Sequence, residues 1–330
     1  MNKKLGYAFV AALWITNILH GQELVLPKVS PKSTITTLGT PVTSEPVVIF
    51  DEAPANETLV NTGLSIYLLR PSFRPDPAFS VSVPNGPNFD YGLDYAPSAW
   101  IELMLQEDIG FRTRYFQYAQ ATQRRQDSSD AKLSGQAKLS LMTWDFEFTK
   151  HLAIDRWNWT VALGGRYLFL DSRYEGRIRD VTQAIRTVFP AETDSRHHLT
   201  GGGPTLSVEF SRPIGSNGCG LYGSARAAIA FGEMSQSVTS VLQGQNKGRI
   251  DTTRTFAQRG DFTAIATGEF EIGGQCSYSL GRYSLVSQLG YVANVWGNVG
   301  NASLKSSTVT PEERQTLLLS GLVVRFGLYF

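Results

Sequence analysis

Asp194, His197 and His198 are the densest group of side chains in this sequence that could carry out a reaction. A carboxylate next to an imidazole can orient the ring and let it take a proton from water. The chemistry would then be hydrolysis. A polar loop is the simpler and favoured explanation of the same three residues. A serine hydrolase would also need a nucleophile on a sharp strand-to-helix turn, and neither "GGGPT" (201–205) nor "SGL" (320–322) makes one. His151 falls in a short connection far along the chain from this group. The glycine run is not followed by Lys-Ser or Lys-Thr, so no phosphate loop is expected. Two cysteines and four histidines at scattered positions give no metal-ligand spacing. The expectation is a chain that is not an enzyme and holds neither cofactor nor metal.

A larger set of charges sits at alternate positions within apolar runs. The acids are Asp90, Asp94, Glu102, Asp145, Glu147, Glu209, Glu269 and Glu271. The bases are Arg112, Arg114, Arg166, Arg226 and Arg325. Period-two placement puts them all on the face opposite the apolar one. What those faces meet depends on the elements that carry them.

Bulk properties narrow the class. The chain has 330 residues, with 30 Lys and Arg against 29 Asp and Glu, which gives no reason to expect nucleic acid as a partner. Its 31 Gly, 18 Phe and 13 Tyr suit strands and tight turns. Lys3 and Lys4 precede an apolar run from Leu5 to Leu19, the layout of a signal peptide (1–21) cleaved after Gly21. Residues 22–61 carry prolines at 27, 31, 41 and 46 and read as a Pro/Thr/Ser-rich periplasmic linker. Beyond the leader no apolar stretch is long enough for a spanning helix, but barrel strands need only about ten alternating residues each.

From Thr62 onward the alternation predicts ten strands, near 62–70, 89–105, 111–122, 136–150, 157–174, 198–212, 221–236, 261–276, 283–297 and 316–330. The gaps alternate between long (71–88, 123–135, 175–197, 237–260, 298–315) and short (106–110, 151–156, 213–220, 277–282). Brief periplasmic turns and long outer loops are the habit of an outer-membrane barrel. The fold class is therefore all-β, a transmembrane antiparallel up-and-down barrel of ten to twelve strands over 62–330. In "WNWTVALGGRYLFLDS", Trp157, Trp159, Tyr167 and Phe169 share the apolar face. Trp159 to Tyr167 would span roughly 20 Å and Trp157 to Phe169 roughly 30 Å across a membrane, bracketing the ~25 Å between aromatic girdles. The chain closes on "SGLVVRFGLYF", with Phe330, Phe326, Val324 and Leu322 on one face. Such an end needs no polar tail if the last strand pairs with the first. Phe330 would also serve as the signal read by the barrel-assembly machinery.

Together, "FDYGLDYAPSAWIELMLQEDIGFRTRYFQY", "GGGPTLSVEFSRPIG…GLYGSARAAIAFGE" and "SGLVVRFGLYF" resemble the Legionella major outer membrane protein-like family. The resemblance implies a pore in the outer membrane of a Gram-negative-type bacterium, surrounded by lipid and passing small solutes or ions. It brings no catalytic residues.

A barrel turns the thirteen alternating charges inward, because Arg facing lipid at mid-depth would cost about 2–4 kcal/mol. A hairpin centred between residues 219 and 276 sets Cys219 opposite Cys276, where a disulfide is expected in an oxidising compartment. The same register sets Arg226 opposite Glu269. Shorter connections set Glu102 opposite Arg114 and Arg112 opposite Asp145. Asp90, Asp94 and Glu271 remain unpaired, and the acidic excess predicts a small, weakly cation-selective conductance. Two other functions stay open: a non-conducting surface or adhesin barrel, and a rim hydrolase.

Overall fold

Alternation of apolar and polar residues buries nothing in a lone strand, so these segments must close on one another. The computed structural model describes residues 60–74, 91–106, 108–127, 132–179, 189–215, 218–246, 249–299 and 316–330. They form a closed antiparallel barrel of ten strands. In chain order these are β1 (Val60–Arg74), β2 (Asp94–Gln106), β3 (Ile109–Asp127), β4 (Lys132–Ile154), β5 (Trp157–Arg179), β6 (Phe189–Pro213), β7 (Cys219–Asn246), β8 (Arg249–Leu280), β9 (Tyr283–Gly297) and β10 (Thr316–Tyr329). Each strand pairs with its sequence neighbours, and β10 closes on β1 with Asn61 opposite Tyr329. The Phe330 N–H donates to the Val60 carbonyl at 3.2 Å, so the ladder continues to the final residue. The expected signal peptide, the linker (22–59 of it), Asp90 and most of the gaps 71–88 and 298–315 lie outside the described residues.

Three of the gaps expected to be long loops are mostly strand. β3 and β4 run on to Asp127 and Lys132, β5 and β6 to Arg179 and Phe189, and β7 and β8 to Asn246 and Arg249. Beyond the membrane both faces of a hairpin meet water. The alternation that marks a strand fades there, while the ladder of backbone hydrogen bonds continues. The wall is therefore uneven. β7 and β8 have 28 and 32 residues, but β9, β10, β1 and β2 have only 15, 14, 15 and 13. We call the end with these long hairpins the loop end and the other the turn end. At the turn end, two-residue reversals at Asp155–Arg156 and Gly281–Arg282 place Asp155 (φ 54°) and Gly281 (φ 72°) in the left-handed region that such hairpins require.

The outward face is a continuous apolar belt. Leu163 is 63% exposed, and Leu64, Leu206, Ile229, Phe270 and Leu322 are exposed around the ring. Tyr167, Phe231 and Phe262 bound the belt towards the loop end, and Trp157, Trp159 and Phe210 bound it towards the turn end. A belt this apolar, rimmed by rings, is the surface of a membrane-spanning barrel. The strands also carry a Cys219–Cys276 disulfide at the turn-end foot of the β7–β8 hairpin.

Two predictions follow from this layout. Leu163→Arg places a charge on lipid at mid-belt and should cost about 2–4 kcal/mol of folding free energy in refolding titrations into lipid; an unchanged midpoint would mean that the face meets something other than membrane. Reducing the disulfide, whose cysteines are 57 residues apart, should cost on the order of 4 kcal/mol by chain entropy. Both thiols should resist alkylation until reductant is added, and labelling without it would exclude the bridge.

Candidate functional site

The inward face is layered. A layer of charge lies towards the turn end, where Trp100 also packs near Tyr329 with ring centroids 6.2 Å apart, and beyond it towards the loop end comes an apolar layer. That last layer includes Tyr67, Leu69, Tyr118, Leu139, Leu141, Leu168, Leu170, Leu199, Ile265 and Trp296, all buried.

The charged layer is held across the lumen as well as along the wall. Arg166 on β5 donates to both oxygens of Asp145 on neighbouring β4, at 2.7 and 2.9 Å. The same guanidinium reaches Glu269 on β8 at 2.6 Å and the Thr267 hydroxyl at 3.1 Å. Arg114 on β3 pairs with Asp145 at 3.3 Å and with Glu269. Strands β3 and β8 are diametrically opposite in the ring of ten, so the Arg114–Glu269 pair spans the barrel. Arg112 on β3 pairs with Glu147 at 2.9 Å and with Glu209 on β6 at 2.8 Å. Arg226 on β7 donates to both oxygens of Glu147 on β4, at 3.0 and 3.1 Å. Arg325 pairs with Glu271 at 2.9 Å, and Tyr222 donates to the other oxygen of Glu271 at 2.8 Å. The side chains of Arg166 and Asp145 are 0% exposed. Opposite Arg166, β6 carries Gly203, where an added Cβ would run into the Ile229 carbonyl of neighbouring β7, so the two strand backbones approach closely there.

The structure thus gathers Glu102, Arg112, Arg114, Asp145, Glu147, Arg166, Glu209, Arg226, Glu269, Glu271 and Arg325 into one layer. Asp94 stands apart and accepts from the Tyr95 N–H at 2.9 Å. Several expected pairings change. Arg226 is opposite Glu269. However, Glu102 is opposite Arg112, not Arg114: Gln106 opposite Ile109 sets the turn one residue tighter than expected, and a bulge between Met104 and Gln106 shifts the β2–β3 register by one more. Arg112 is opposite Glu147 and Arg114 opposite Asp145, two residues from the expected register, because the β3–β4 hairpin centres farther along the chain. Glu271 is not unpaired. Six carboxylates here meet five guanidiniums, so among the described residues the local excess is one charge and not three.

The group that could have been hydrolytic comes apart. Adjacent strand residues face opposite ways, so His197 points inward and His198 outward. His198 lies 3.7 Å from Asp171, and Asp194 accepts from Arg173 at 2.8 Å. His197 donates through Nε2 to the Val299 carbonyl, which pins the start of the β9–β10 connection into the barrel mouth. Asn298, in the left-handed region, makes the bend and donates to the Ala264 carbonyl at 3.3 Å.

Sequence reasoning missed a cluster at the turn end. His151 Nε2 lies 3.2 Å from Glu102, and its Nδ1 lies 3.0 Å from the Thr160 hydroxyl. Thr149 donates to the same Glu102 oxygen at 2.6 Å. His151 follows Thr149 and Glu147 at alternate positions, a parity signal that was available in the sequence. Among the described residues, no group of three or more His, Cys, Asp and Glu could hold a metal ion.

No family model matches the chain, and no curated protein does. Among solved structures the chain is similar to the outer membrane protease OmpT from Escherichia coli, at 10% identity over 84% of this chain and 99% of that one, with a TM-score of 0.43. It is also similar to a Pseudomonas aeruginosa FadL homologue, at 7% identity over 83% and 90% with a TM-score of 0.28. A third likeness is the CymD monoaromatic hydrocarbon channel, at 7% identity over 82% and 87% with a TM-score of 0.26. These likenesses are too loose to carry an argument about activity, and the barrel stands on this chain's own strand pairing.

His197 supplies a pH prediction. It pairs with Ser172 and Gln236, beyond the Phe169 and Phe231 rings and so outside the membrane belt. Burial pushes its pKa down to about 4 from 6.5, against the hydrogen bond to Val299, with His198 lowering it and Asp171 raising it. A carbonyl only accepts, so Nε2 carries the proton, and Nδ1 is buried without a partner among the described residues. The unfolded chain takes up a proton near pH 6.5 and the native mouth only near pH 4, so stability falls as pH drops through that window. Trp296 fluorescence should report a looser mouth between those limits, and His197→Gln, which does not titrate, should flatten the profile. An equal slope in the variant would place the sensitivity elsewhere.

Proposed function

We propose that this protein is an outer-membrane barrel closed across its lumen, acting through the tall hairpins of its loop end as a non-conducting surface or adhesin barrel. One observation carries this reading: Arg114 and Glu269, from opposite walls, meet inside the barrel. The apolar layer behind them adds a second obstruction. Breaking such a layer is costly, because removing one partner of a buried ion pair leaves an unpaired charge worth about 3–5 kcal/mol. A Gram-negative-type outer membrane fits the belt, the short turns and the terminal aromatic strand. Phe330 outward, with its ring 5.2 Å from Tyr283, fits a role in recognition by the assembly machinery. The commitment of His197 to Val299 and of Asp194 to Arg173 supports a role without catalysis.

A passive pore for small solutes is the second reading, and the turn end favours it. Glu209 keeps 31% side-chain exposure and His151 34%, so water reaches the edge of the charged layer. Conduction would then need the layer to part. Single-channel recording of the refolded chain separates the two readings. The closed barrel should give no steady conductance. A steady conductance in the parent would favour the pore, and a salt gradient would then report its charge preference.

A further inference from the structure

At the turn end, the β5–β6 corner combines features that nothing in the closed lumen requires. Trp157, Trp159 and Phe210 form a three-ring cluster on the outward face, with centroid separations of 5.5 to 6.1 Å. The β5–β6 register runs Asn158 opposite Ser211 and, one step on, sets Trp157 opposite Arg212. Arg212 does lie over that ring, with its Cζ 5.2 Å from the centroid. Arg156, in the adjoining turn, is exposed, as is Arg212. Neither makes an ion pair among the described residues, whereas nearby Lys150 on β4 is matched by Asp108 at 3.2 Å. Asp155 is the carboxylate nearest in sequence, and it is also exposed.

We propose that this corner binds the headgroup of an anionic glycerophospholipid in the leaflet at the turn end, with its phosphate between Arg212 and Arg156 and its glycerol and upper acyl carbons against the three rings. This rests on the membrane-spanning reading of the barrel. The occupant follows from the position: the rings close the apolar belt, so whatever covers them belongs to the membrane. Tryptophan favours that boundary because its ring is apolar at one end and polar at the other. A guanidinium over a ring presents a planar fork suited to two phosphate oxygens. With two unspent cations against one acid, the corner selects a headgroup with net negative charge. Basic residues near a membrane surface attract anionic lipid by roughly fivefold in affinity per residue.

The test is native mass spectrometry of the full chain refolded in mixed micelles of phosphatidylglycerol and phosphatidylcholine in equal amounts. The parent should retain phosphatidylglycerol preferentially, and Arg156→Gln with Arg212→Gln should lose roughly 25-fold of that preference. Arg282→Gln, which removes an exposed cation at a different turn, should leave it intact. Heat-modifiable gel mobility checks that each variant is folded. If the double variant does not fold, Arg212→Lys, which keeps the charge but loses the fork, should still weaken retention. Equal retention of both lipids by the parent, an unchanged preference in the variants, or an equal loss in Arg282→Gln would overturn the site. Quenching of tryptophan by phosphatidylcholine with brominated acyl chains tests the underlying reading separately. With quenching but no headgroup preference, only this site fails; without quenching, the membrane-spanning reading fails as well.

Discussion

Arg166 and Asp145 are wholly buried, and everything around them follows from the need to keep buried charge satisfied. A buried guanidinium costs several kcal/mol to desolvate, and only paired carboxylates in good geometry repay it. Arg166 finds Asp145 on its own side and Glu269 on the far side, and Glu269 in turn takes Arg114 from the opposite wall. The layer therefore fixes the shape of the barrel. Moving β3 relative to β8 would separate Arg114 from Glu269 and leave each with fewer partners in the buried layer.

The apolar layer and the charged layer divide the interior by depth. Towards the loop end, inward positions are mostly Leu, Ile, Val and aromatic residues that pack as a soluble core does, with Ser172, Ser195 and His197 buried beyond them. Towards the turn end they are charged and partly wet. The outward face reverses the habit of a soluble protein, with Leu, Phe and Ile exposed around the belt. One strand thus serves two solvents, lipid on one face and its own packed interior on the other. The uneven wall then raises β7 and β8 above β9 and β10.

Local rules were enough for much of this architecture. Period-two alternation, gap lengths and turn residues make ten strands legible in order. The same parity puts eleven charged residues of the lumen layer on the inward face. Parity also sends His197 and His198 to opposite faces, which undoes the hydrolytic group without any tertiary detail. The extensions to Asn246 and Arg249 were not legible, because a strand wetted on both faces loses the apolar stripe that betrays it.

The sequence by itself determined which residues face inward, because side-chain direction in a strand depends only on position along it. It also determined the β7–β8 register, since one hairpin centre serves both Cys219–Cys276 and Arg226–Glu269. Only the tertiary structure decided which inward charges meet. A turn one residue tighter than expected and a one-residue bulge together moved Glu102 from Arg114 to Arg112. The pairs that close the lumen, Arg114 with Glu269 and Arg112 with Glu209, join strands that no hairpin connects. Local spacing sets the partners of adjacent strands. Contact across the barrel depends on its diameter and on the stagger of all ten strands together, and those exist only once the ring has closed.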